Sequence, residues 1–251
     1  MSTIRVFSSA LAVSAVLAGC REAQTDKDVA TRTSTGEAAV SMSGDSADKR
    51  GVALVRVVNA VPGKERLVVR ADRDHQLTGA EYKAVTEYQP IDKNCVTFEI
   101  GTTGDSVYEP LATNREMLTD GHRYTIVVMR DSARGDSARG YETRVLRDEI
   151  SADTTQAHVR VIHAARGIDD VNLVQRGADT LVDGVSFTME AGYKAVKPWT
   201  GTLEVRADSG NRLLLSIPNV ALQAGRSYTI VLTRNAAGKL ESFRFDDSQV
   251  K

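Results

Sequence analysis

The chain is poor in several of the features that usually point to chemistry. Its 251 residues include only two cysteines, five prolines and one tryptophan, and aromatic residues make up 5%. A formal net charge of −1 leaves no basic excess for phosphates, so nucleic acid is not an expected partner. No apolar run reaches the roughly 18 residues of a spanning helix. There is no Gly-x-Ser-x-Gly elbow, no His-Glu-x-x-His pair and no phosphate-binding Gly-rich loop. The sequence therefore offers no catalytic residue, no metal site and no cofactor, and the chain reads as a non-enzyme.

What is present begins with an address. Arg5 supplies a short positive region, and residues 6–17 are mostly apolar, broken by serines. Leu17-Ala18-Gly19-Cys20 closes the stretch and looks like the lipobox of bacterial lipoproteins. That likeness implies a signal peptide over residues 1–19 and a lipidated Cys20, with acyl chains such as palmitate holding the protein to a membrane. Arg21 stands where an Asp often retains such lipoproteins at the inner membrane, which favours the outer membrane, facing periplasm or surface. Residues 21–50 are rich in Ser, Thr, Ala, Gly, Asp and Glu, without an aromatic residue or an apolar period. Such a stretch cannot bury enough surface to offset its ordering entropy, so residues 20–50 read as a lipidated Cys with a flexible tether.

The rest is written twice. Val55-Arg56-Val57-Val58-Asn59-Ala60 returns as Val159-Arg160-Val161-Ile162-His163-Ala164, an offset of 104 (159−55). Gly121-His122-Arg123-Tyr124-Thr125-Ile126-Val127 returns as Gly225-Arg226-Ser227-Tyr228-Thr229-Ile230-Val231, again at 104 (225−121). Between these ends lie short β-branched and aromatic stretches separated by Gly, Asp, Asn and Pro, about seven strands in about 100 residues. The expected fold is all-β: two tandem Ig-like antiparallel sandwiches, residues 51–150 and 155–251. As tandem beads, each closes its own core and folds alone. Tyr193-Lys194-Ala195-Val196 echoes Tyr82-Lys83-Ala84-Val85 at 111 (193−82), which implies a longer preceding loop in the second unit and makes Trp199 the counterpart of Tyr88.

These motifs, with Thr97-Phe98-Glu99-Ile100 and Thr202-Leu203-Glu204-Val205 between them, resemble the domain of unknown function 4397 family over most of residues 51–247. The resemblance implies bacterial secreted or surface domains, often in tandem, with an Ig-like fold and no established activity. Where the family continues its opening motif with Ser-Pro-Asp-Ala-Pro, this chain has Val61-Pro62-Gly63 and Ala165-Arg166-Gly167.

Several residues carry a sharp reading beside a plain one. His158 and His163, five apart in a strand, point to opposite faces and cannot share a metal ion unless a bulge intervenes; His163 is expected to bond a turn at the strand end. Cys95 is left over once Cys20 is lipidated and reads as a buried free thiol, with pairing between chains as the alternative. Asp131-Ser132-Ala133-Arg134-Gly135 repeats at once as Asp136-Ser137-Ala138-Arg139-Gly140, which lengthens a hairpin and creates Arg134-Gly135-Asp136, a tripeptide that a slipped duplication also produces. Asp148, Glu149 and Asp153 form either a calcium site or a solvated linker. Trp199 and Tyr88 are core anchors or a glycan platform, with core favoured. Tyr124 and Tyr228 are expected to be buried, with hydroxyls bonded upstream in the manner of a tyrosine corner. The functional expectation is an envelope-anchored, non-catalytic binding or interaction module. The alternatives are an accessory lipoprotein of an envelope assembly and, less favoured, a hydrolase of envelope polymers. The expected partner is an envelope protein or a glycan, and the sequence does not choose.

Overall fold

A computed structural model describes residues 51–63, 66–73, 75–102, 110–130 and 140–247. The first half contributes β1 (Ala53–Asn59), β2 (Leu67–Ala71), β3 (His75–Ala80), β4 (Gln89–Ile91), β5 (Cys95–Thr102), β6 (Ala112–Met117), β7 (Arg123–Arg130) and β8 (Tyr141–Arg147). The second contributes β9 (Ala157–His163), β10 (Val171–Gln175), β11 (Thr180–Val185), β12 (Glu190–Val196), β13 (Trp199–Ala207), β14 (Leu213–Leu222), β15 (Ser227–Arg234) and β16 (Leu240–Asp246), with one 3-10 turn at Ser209–Asn211. Cys20, the tether and the Arg134-Gly135-Asp136 tripeptide lie outside the described residues.

Each half is a sandwich of two four-stranded sheets. The first pairs β4-β1-β7-β8 with β3-β2-β5-β6, and the second pairs β12-β9-β15-β16 with β11-β10-β13-β14. The pairing is antiparallel except at one place in each half, where β1 runs parallel to β7 and β9 parallel to β15. Sequence reading underestimates the strand count because β3 carries few β-branched residues. It also extends a strand through Tyr82–Tyr88, where Lys83 instead adopts φ 66° and turns the chain.

That turn corrects the internal alignment. Lys83 N–H donates to Asn59 O and Ala84 N–H to Glu81 O; Thr188 N–H donates to His163 O and Met189 N–H to Ser186 O. Thr188 repeats the positive φ, at 69°. The counterpart of Lys83 is therefore Thr188, an offset of 105 (188−83). The same offset places Tyr193 with Tyr88, not with Tyr82, and Phe187 with Tyr82. The shared Tyr-Lys-Ala-Val string is a coincidence between permissive strand sequences, and hydrogen bonds decide the register.

Alternation along β1 and β7 sends neighbouring side chains to two different cores. Val55, Val57, Tyr124, Ile126 and Val128 join Leu67, Val69, Phe98 and Ile100 inside the first sandwich. Val159, Val161, Tyr228, Ile230 and Leu232 join Leu173, Leu203 and Val205 inside the second. The opposite faces of the same strands form a third cluster, in which Val58, Ala60, Val127 and Met129 meet Ile162, Ala164 and Val231. Phe243, Phe245, Phe187 and Leu146 pack around it. The two sandwiches are thus pressed together through the sheets that contain the parallel pairs, which are buried on both faces as parallel strands usually are. The described residues fall in one compact unit. The two sandwiches share this third cluster, and separating the halves would strip it of about half its members.

Candidate functional site

The most chemically loaded place in the molecule lies in this joint. Arg56 sits mid-strand in β1, on the face that looks away from its own core, and Arg160 sits at the same place in β9. Both side chains are 1% exposed. A buried guanidinium must be paired, and here pairing runs both within and between sandwiches. Arg56 Nε donates to Thr125 Oγ1 at 2.9 Å, and Thr125 Oγ1 donates to Asp148 Oδ2 at 2.6 Å. In the second copy Arg160 Nε donates to Thr229 Oγ1 at 3.0 Å, and Thr229 Oγ1 donates to Asp247 Oδ2 at 2.6 Å. Each Arg-Thr-Asp row then clasps the other. Arg56 Nη2 bonds Asp247 Oδ1, and Arg160 Nη1 lies 2.7 Å from Asp148 Oδ1, in ionic contact but off-line for a hydrogen bond. Two arginines and two aspartates leave no net charge.

Aromatic rings close the sides. The Arg56 guanidinium lies 4.6 Å from the Tyr88 ring centroid and 4.8 Å from that of Phe245, while Arg160 lies 4.6 Å from Tyr193. Such stacking suits a planar, weakly hydrated cation out of water. The Tyr88 hydroxyl donates to Asp148 Oδ2 at 2.6 Å. Burial, and then the Asp148 charge, push the Tyr88 phenol well above its ordinary range, so it stays a donor. Burial also raises Tyr193, with the Arg160 charge opposing. Burial works against the charge on Arg160, but its anionic and aromatic neighbours more than offset this and the guanidinium is held protonated. Glu190 reaches Arg160 Nη1 at 3.4 Å, and burial raises its carboxyl despite the cation beside it.

The junction acids are not brought together. Asp148 is buried in the clasp, not solvated. Glu149 pairs with Arg147 at 3.6 Å, and Asp153 Oδ1 accepts the Thr155 N–H and hydroxyl at 2.7 Å each. Among the described residues no group of three His, Cys, Asp or Glu side chains is placed to hold a metal ion. Trp199 and Tyr88 do not occupy equivalent places. Tyr88 belongs to the clasp, while Trp199 packs on the second core with its ring over Gly201, where a Cβ would come within 2.4 Å of the ring. Cys95 is neither buried nor free. It is half-buried at the start of β5, disulfide-bonded, with Arg115 Nε 3.3 Å from its sulfur.

His163 closes a turn. Its Nδ1 accepts the Ala165 N–H at 3.3 Å, which leaves Nε2–H to donate to Asp169 O at 3.2 Å. Asn59 does the same work in the first copy, accepting from Val61 N–H at 2.8 Å and donating to Ala80 O at 2.9 Å. His158 and His163 lie on opposite faces of β9, whose register with β15 is unbroken. Burial lowers the His163 pKa below its ordinary 6.5, so the folded protein keeps a neutral imidazole where the unfolded chain takes up a proton. The stabilisation is full above pH 6.5 and is lost as pH falls from there through the folded pKa. His163→Asn should therefore flatten the fall in stability below pH 6.5, measured by urea midpoints against pH. An unchanged slope would show that other groups carry it.

Among the described residues, two open depressions lie beside members of the joint. One, of about 470 Å³, is lined by His122, Arg123, Arg147, Asp148 and Glu149 among others. The other, of about 290 Å³, lies between β11 and β12 beside Asp183, Met189, Glu190 and Lys194. Neither presents an unpaired pair of carboxylates, since Asp148, Glu149 and Glu190 all face arginines.

The chain is two β-sandwiches joined through a buried ionic cluster. The model of DUF4397, a domain of unknown function, matches residues 53–174 and 157–251, and the chain belongs to that family. No curated protein matches it. Among solved structures, it is similar to a family-26 carbohydrate-binding module, CBMbc, from Eubacterium rectale Amy13K in complex with maltoheptaose. The identity is 9%, over 77% of this chain and 96% of that one, with a TM-score of 0.26. A likeness that distant carries no argument about ligands.

Proposed function

We propose that the protein is a non-catalytic interaction module held at the cell envelope, at the outer membrane, by lipid on Cys20. The observation that carries the interaction reading is where the buried charge goes. Arg56, Arg160, Asp148 and Asp247, the buried charges, are consumed in joining the sandwiches, and the sheets β3-β2-β5-β6 and β11-β10-β13-β14 are left with polar outer faces. On those faces Glu99 is held by Arg73 at 3.1 Å and Glu204 by Arg176 at 2.8 Å and Arg206 at 2.6 Å. The partner class that suits such faces is an envelope protein or a glycan. Service as an accessory part of an envelope assembly is the second reading, and hydrolysis of envelope polymers the third.

The anchoring half rests on the Leu17-Ala18-Gly19-Cys20 ending. Cys20→Ser should move the protein from the membrane fraction to the soluble one, or leave it unprocessed. Protein that remains membrane-bound after this change, with no incorporated fatty acid in the parent, would sink the lipid reading.

A further inference from the structure

Sheet edges are where a β-protein is most exposed to pairing with another chain, and they are usually protected by charge, proline or brevity. Here β4 is three residues long and contains Pro90, β6 carries Arg115 and Glu116, and β8 carries Glu142, Arg144 and Arg147. Likewise β12 carries Glu190 and Lys194, and β16 carries Glu241, Arg244 and Asp246. The edge strand β14 is different. It is ten residues long, reads Leu-Leu-Leu-Ser-Ile-Pro-Asn-Val-Ala-Leu, and has no ionisable side chain. Among the described edge strands longer than six residues it alone lacks one. Leu213 is 45% exposed, and Leu214, Leu215 and Ile217 are only partly covered by the core they pack against. Register comparison puts Ala112, Thr113 and Asn114 of β6 where β14 has Leu215, Ser216 and Ile217. The fold does not demand this apolar edge, since its own first copy manages without one.

We infer that β14 is a strand-addition edge, and that its occupant is the β14 of a second copy of this chain. Only half of an edge strand's backbone groups are used by its neighbour β13, and the rest point outward along the edge. Pairing is confined to Leu213–Ile217, because Pro218 has no N–H to give and Asn219, at φ 56°, breaks the strand. A segment this short and free of charge offers no complementary charge to a foreign partner, yet it is compatible with itself. Run antiparallel about a twofold axis near Leu215, it sets Leu213 against Ile217 and Leu214 against Ser216, with no like charges opposed. The two four-stranded sheets β11-β10-β13-β14 become one continuous sheet. The polar outer faces carrying Glu204 are thereby doubled on one side of the dimer. This goes beyond the interaction module proposed above, and its test is independent of anchoring.

The experiment uses the Cys20→Ser chain in solution. Sedimentation should show a concentration-dependent dimer, and amide hydrogen exchange in residues 213–217 should slow as dimer forms. Leu213→Lys, at an exposed position, should weaken association by on the order of tenfold or more, by placing two lysines in the new sheet, while leaving the thermal midpoint of the monomer unchanged. A monomer at every concentration overturns the inference. So does a dimer whose protected amides lie elsewhere, and that second result holds whether or not the Leu213→Lys chain folds.

Discussion

Asp148→Ala should cost about 3–5 kcal/mol of stability, the usual penalty for leaving buried charge without its partner. Asp148 meets Arg160 at 2.7 Å, accepts from Thr125 and Tyr88 at 2.6 Å each, and its side chain is 0% exposed. Its removal strands Arg160 between Asp247, at 3.9 Å, and the partly exposed Glu190. Asp247→Ala should cost a comparable amount because the second row mirrors the first. The double replacement should cost less than the sum, since each single change already breaks the shared cluster. Replacing Arg56, Arg160, Asp148 and Asp247 together with well-packed apolar residues should come near to neutral, as for other buried ionic clusters. Urea midpoints at constant slope measure all four. A loss below about 1 kcal/mol for either aspartate would mean that water reaches the joint and the pairs behave as surface ones.

The clasp marks the limit of what the sequence disclosed. Its members are all visible, the arginines and threonines at a matched offset of 104 (160−56 and 229−125). Alternation says which face Arg56 and Arg160 take and not what covers that face. The signal that could have exposed them is an arginine bracketed by valines in both copies, with apolar residues following it on its own face. Val58 and Ile162 play that part, and a strand apolar on both faces is buried on both. Asp247 lies 99 residues after Asp148, five short of 104, and the tandem Asp-Ser-Ala-Arg-Gly block in the first copy accounts for the five. Elements fixed by local chemistry were legible: the strands β1, β7, β9 and β15, the turn bonded by His163, and the duplicated order. Elements fixed by partners far along the chain were not. A four-residue string matches Tyr193 to the wrong tyrosine, and the sequence reads Cys95 from its spare count, not from its neighbours.

Tyr124→Ala and Tyr228→Ala should each cost about 3 kcal/mol or more, as other large aromatic deletions from a core do. The reason begins at Gly121 and Gly225, which take φ of 75° and 72° and reverse the chain just before β7 and β15. The reversal brings each tyrosine ring under the sandwich rim, where it is 7% or 6% exposed and packs with Val55 or Val159 in its own core. It also aims each hydroxyl back at the segment it has just left. Tyr124 Oη accepts the Thr119 N–H at 2.9 Å, and Tyr228 Oη accepts the Gln223 N–H at 3.3 Å, both five residues upstream. The ring and the hydroxyl can be separated by experiment. Tyr124→Phe removes one hydrogen bond and should cost about 1 kcal/mol, with the exposed Thr119 amide able to turn to water. Tyr228→Phe should cost less than that, because its bond is the longer of the two. Calorimetric and urea unfolding of the four variants decides the matter. If the phenylalanine variants lose as much as the alanine ones, the hydroxyl is the anchor and the ring only fills space. If the alanine variants are nearly neutral, the rings are not part of the core and the corner is decorative.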